Sequence, residues 1–100
     1  MQEIGRLLFT RKDGESFVVG TDTTITLHRR PHAQQAKAAI KRGTKETIHI
    51  AKNREPIELE EGIHFEVSFD RGRGNAMRVL VVAPKNVKVL RSELIGNGRG

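Results

Sequence analysis

The sequence predicts a mainly β fold with one short inserted helix, and three observations carry that prediction. Short runs alternate apolar or β-branched residues with polar ones, as in Thr23-Thr24-Ile25-Thr26-Leu27 and Ile63-His64-Phe65-Glu66-Val67-Ser68-Phe69. Turn-forming clusters separate the runs: Asp13-Gly14, Asn53-Arg54-Glu55-Pro56 and Asp70-Arg71-Gly72-Arg73-Gly74-Asn75. The available core is mostly Val, Ile and Leu, because the only aromatic residues are four Phe. Such a core suits β packing or an interface shared with a second copy.

Taken in order, Leu7-Leu8-Phe9-Thr10 reads as a strand ending at Arg11-Lys12. Ser16-Phe17-Val18-Val19 reads as a second, closed by Gly20, and the two are expected to pair as a hairpin about Asp13-Gly14. Thr23–Leu27 is a third. The texture then changes. Pro31–Arg42 is rich in strong helix formers, with Pro31 near its start, Lys41 and Arg42 in its last turn and Gly43 after its end. These are the signals of a short helix whose narrow stripe is Ala33, Ala36 and Ile40. Thr47–Ala51, Ile57–Glu60 and Ile63–Phe69 alternate as strands. Met77–Val82 is apolar on both faces over its second half, so it belongs in the middle of a sheet. Ala83-Pro84-Lys85-Asn86 breaks it, Val87–Arg91 is the last strand, and Ser92–Ile95 begins a short helix.

One hundred residues make a single domain. No apolar run reaches the roughly 20 residues of a membrane span, and the N-terminus lacks the apolar stretch of a signal peptide. Cysteine is absent, which excludes disulfides, a thiol nucleophile and a cysteine zinc site and fits a reducing compartment. The net charge of +6 makes a polyanion the default partner. That charge is blocked along the chain: residues 28–54 and 71–100 are basic, and residues 55–70 carry acids and no base. The pattern describes a basic surface with an acidic patch elsewhere.

Nothing arranges Ser, His and carboxylates as a nucleophile motif. His28 and His32 are four apart but straddle Pro31, and His49 and His64 stand alone, so no metal site is expected. Gly72-Arg73-Gly74 lacks the third glycine and following helix of a phosphate loop. An enzyme is not expected, nor is a cofactor. In the last strand Val87, Val89 and Arg91 share a face, giving an apolar platform rimmed by a planar cation. Guanidinium groups stack on bases and fork hydrogen bonds to guanine or phosphate. A core-facing valine pair with a solvated arginine fits the same pattern.

The two ends of the chain together resemble one family. Leu8-Phe9-Thr10-Arg11-Lys12-Asp13-Gly14-Glu15-Ser16-Phe17-Val18-Val19-Gly20 is similar to the opening of the carbon storage regulator family. The stretch from Gly74-Asn75-Ala76-Met77-Arg78 through Ala83-Pro84-Lys85-Asn86-Val87-Lys88-Val89-Leu90-Arg91-Ser92-Glu93-Leu94 is similar to its close. The resemblance covers about half the chain, in the right order. It implies a small β-barrel or sandwich of strands interleaved in a homodimer. It also implies cytoplasmic post-transcriptional regulation: binding of GGA-containing hairpin loops in mRNA leaders, with repression or modulation of translation. Small regulatory RNA is a further partner that it implies.

In that family the RNA surface pairs the first strand of one chain with the last strand of the other. Carried over, it falls on Phe9, Arg11, Lys12, Val87, Val89, Arg91 and Leu94, with Arg91 matching the arginine most closely tied to RNA. Ala83, Pro84 and Lys85 match the loop that helps read the bases, and Arg78 falls on a family arginine position. Phe9 stands where the family usually has Leu, and Leu80 where Gly is common. Residues 28–62, with the expected helix, are an insertion after the second strand. An alternative on the same scaffold is a protein-interaction module or antagonist with little sequence-specific RNA binding.

Overall fold

A computed structural model describes residues 3–30, 33–69 and 76–91. They form β1 (Ile4–Arg11), β2 (Ser16–Val19), β3 (Thr23–Arg29), β4 (Gln35–Arg42), β5 (Lys45–Lys52), β6 (Ile57–Glu60), β7 (Ile63–Phe69), β8 (Met77–Pro84) and β9 (Val89–Arg91). Two antiparallel sheets result. Sheet A has the order β1-β8-β7-β6 and sheet B the order β5-β4-β3-β2-β9. Among the described residues they stack as a sandwich with open edges and form no closed barrel. No helix among the described residues is long and apolar enough to cross a membrane.

Period-two alternation decides which residues meet. Along β7 the odd positions Ile63, Phe65, Val67 and Phe69 are buried, and along β8 Met77, Val79, Val81 and Ala83 are. From sheet B they meet Phe17, Val19, Ile25, Leu27, Ala36, Ala38 and Ile40. Phe17 lies edge-on to Phe65 across the sandwich, centroids 5.6 Å apart, and Phe9 edge-on to Phe17 at 5.2 Å. Each fully buried side chain of this size contributes roughly 1.5–3 kcal/mol over its exposed state. β8 has partners on both sides, as its two-faced apolar pattern requires.

Three expectations are corrected. The segment read as a helix, Pro31–Arg42, forms strand β4 from Gln35 onward, and the described residues contain no helix. In β4, Ala36, Ala38 and Ile40 enter the core while Lys37 and Lys41 face solvent, an alternation of two. β3 lies along one side of this segment and β5 along the other in full register. Those ladders and the core outweigh an alanine helix propensity of a few tenths of a kcal/mol per residue. The insertion 28–62 therefore widens sheet B and supplies β6.

The expected β1–β2 hairpin is also absent. β1 pairs with β8, and β2 pairs with β3 and β9. The Lys12–Glu15 turn carries the chain from one sheet to the other. It is tied to sheet B because the Gly14 N–H donates to the Leu27 carbonyl (2.7 Å) and the Leu27 N–H to the Glu15 carbonyl (3.1 Å). Gly14 has φ 86°, a left-handed conformation that a side chain would oppose. The last strand is shorter than expected, beginning at Val89, and Ser92–Ile95 lies outside the described residues.

Candidate nucleic-acid interface

β1 is the edge of sheet A and β9 the edge of sheet B, and both lie on the same side of the sandwich. Between them runs a cleft of about 160 Å³. That is below the roughly 300 Å³ at which small-molecule pockets begin, so the cleft is a surface groove. Its floor is apolar: Leu7 from β1, buried Val81 and Ala83 from β8, and half-buried Val87 and Val89. Exposed Arg6 and Lys85 stand at its rim, and exposed Lys88 lies between the two floor valines in sequence.

Local geometry holds the Pro84–Val87 turn against β1. The Val87 N–H donates to the Pro84 carbonyl (2.9 Å), and the Lys85 N–H to the Glu3 carbonyl (2.9 Å). The Lys85 ammonium lies 3.2 Å from the Glu3 carboxylate, an exposed pair of little energetic weight. A Cβ on Gly5 would come within 3.1 Å of Lys85 Cγ, so a glycine here lets the turn lie against the strand. On the other side the Gly20 N–H donates to the Lys88 carbonyl (2.7 Å), fixing the entry to β9.

The residues predicted from the sequence divide into groups. Ala83, Pro84, Lys85, Val87 and Val89 all border the cleft. Phe9 is half-buried further along β1, with its ring against Phe17. Arg11 is buried in the β1–β2 corner, only 3% exposed. Its Nε donates to the Thr10 carbonyl (2.9 Å) and its Nη1 to the Ser16 carbonyl (3.1 Å), with Glu15 Oε1 3.7 Å from Nη2. These contacts make Arg11 a corner brace. Lys12 is exposed on the same corner. Arg78 is exposed on the outer face of sheet A, opposite Thr10 and Ser68. Arg91 occupies the β9 position opposite Phe17, one residue from the Ser16 carbonyl that Arg11 binds. Leu94 lies outside the described residues.

Sequence reasoning left out Gly5, Arg6, Leu7 and Lys88. The signal was available in Gly5, because a glycine inside a strand marks a close backbone approach. Among the described residues no three His, Asp or Glu side chains group as a metal site. Comparison with protein-family models, curated proteins and solved structures finds no match to this chain.

Proposed function

We propose that this chain is a post-transcriptional regulator that binds GGA-containing hairpin loops of mRNA leaders across the β1–β9 groove. One observation carries the reading. Strand β1, in which the resemblance to the opening of the carbon storage regulator family begins at Leu8, borders a groove through its preceding residues Gly5, Arg6 and Leu7, and the Ala83–Val89 segment that resembles the family's close borders the same groove within a single chain. That groove has the chemistry an unpaired RNA loop requires: an apolar floor for base faces, with cations at the margin for phosphates. The pI of about 10.3 adds long-range attraction for a polyanion. In this reading Lys85, Lys88 and Arg6 hold the backbone, Val87 and Val89 support bases, and Arg91 forks to a guanine edge. Arg11 acts through the shape of the corner.

The test is a titration of a GGA stem-loop against the same loop with CCA. The reading expects strong preference for GGA and loss of most affinity in Arg91→Ala. It expects a uniform loss of about fivefold to tenfold for both loops in Lys85→Ala, as for a phosphate contact. Equal binding of the two loops by the native chain overturns the proposal in favour of a nonspecific basic domain.

A further inference from the structure

β5 is the far edge of sheet B, on the opposite side of the sandwich from the groove. Lys45 through Ile50 are all exposed, including Ile48 at 54% and Ile50 at 42%. Thr47 and His49 are exposed although their side of the strand faces sheet A, where they border a cleft against Glu58 and Leu59. The Arg42 guanidinium on β4 donates to the Leu59 carbonyl (2.6 Å), which sets β6 over β4 and leaves β5 overhanging. The strand pairs with β4 over its full length without a bulge. Open edges are normally guarded by brevity, bulges, proline or charge. β6, with four residues, a register shift and two glutamates, is guarded in this way. The centre of β5, Thr47-Ile48-His49-Ile50, is not.

We infer that β5 pairs antiparallel with β5 of a second copy about His49, joining two five-stranded sheets into one. The argument begins at the turn. Gly43, at φ 62°, and Thr44 close a two-residue turn on the pair Arg42–Lys45. Such a turn closes on a hydrogen-bonded pair, so Lys45, Thr47, His49 and Ala51 direct their backbone groups to β4. Glu46, Ile48, Ile50 and Lys52 direct theirs to the open edge.

Centred on His49, these four residues meet one another. Glu46 stands opposite Lys52 of the partner subunit, and Ile48 opposite Ile50 of the partner subunit. All lie on one face, and symmetry repeats each contact. The acid and the base are equally distant from the centre, so one register satisfies both charges and both isoleucines. A slip by one residue turns every side chain to the wrong face. The edge strands β1 and β9 carry arginine and no acid, so self-pairing there offers no matching charge. Charge complementarity thus selects a second copy for β5.

The experiment uses the full chain without RNA, in sedimentation equilibrium over a range of concentrations. A reversible dimer is expected. Glu46→Lys and Lys52→Glu, both exposed changes checked by thermal unfolding, each place like charges in opposition and raise the dissociation constant about tenfold or more. The double exchange E46K/K52E restores the native value, and mixing the two single variants yields the heterodimer. His49→Cys adds a register check, since the chain has no other cysteine. Non-hydrogen-bonded partners lie about 4.5 Å apart at Cα, within disulfide reach, so the variant cross-links under mild oxidation. A native chain that stays monomeric, a dimer that the single exchanges leave unchanged, or a double exchange that fails to restore it overturns the proposal.

Discussion

Arg11 shows how burial changes the meaning of a charged side chain. A strand-end arginine beside Lys12 reads as a surface cation, yet its guanidinium is enclosed and donates to two backbone carbonyls. Replacing it with methionine keeps the aliphatic bulk but leaves the Thr10 and Ser16 carbonyls without that donor. Arg11→Met should cost about 1–3 kcal/mol, seen as a lower urea midpoint with an unchanged denaturant slope. By contrast Lys85→Ala removes an exposed cation and should leave the unfolding free energy within about 0.5 kcal/mol of the native value. The pair of measurements separates a structural cation from a ligand-facing one, a distinction that residue identity does not carry.

Strands β2, β3, β7 and β8 were legible because each repeats buried and accessible positions with a period of two and contains β-branched or aromatic residues. β4 was misread because alanine and lysine favour a helix, and Ala36-Lys37-Ala38-Ala39-Ile40 satisfies either period. What decides is the partner on each side, which the local sequence does not contain. A substitution tests this. Ala39 lies on the outer face between Thr26 of β3 and Ile48 of β5. In that setting Ala39→Thr should raise stability by about 0.5 kcal/mol in thermal unfolding, whereas in a helix the same change would lower it. The groove was half legible. Its Ala83–Val89 segment was readable from the family resemblance, whereas Arg6 and Leu7 joined it only once β1 was known to edge the sheet opposite β9.

At the scale of the molecule the two open sides of the sandwich differ. One side holds the groove with Arg6 and Lys85, and the other holds β5 and the acidic strand β6. The proposed pairing through β5 leaves both grooves uncovered on opposite ends of one particle. Two loops on one transcript could then be held together with avidity. With Arg6, Lys85 and Lys88 each contacting one phosphate, as proposed, the logarithm of RNA affinity should fall with the logarithm of salt at a slope near −2 per site. Filter binding between low and physiological salt measures it. A slope near zero would mean that the rim lysines do not touch phosphate.

The pairing of β1 with β8 has a consequence for biosynthesis. Ile4, Leu7 and Leu8 leave the ribosome before β8, the strand that aligns with them, which is translated only after β2 to β7 have been made. Until then sheet B can assemble from β2 to β5 by successive neighbouring hairpins, while the first strand waits as a sticky, unmatched thread. Closure of sheet A by β8, like the addition of β9 to sheet B, is therefore a late step of maturation.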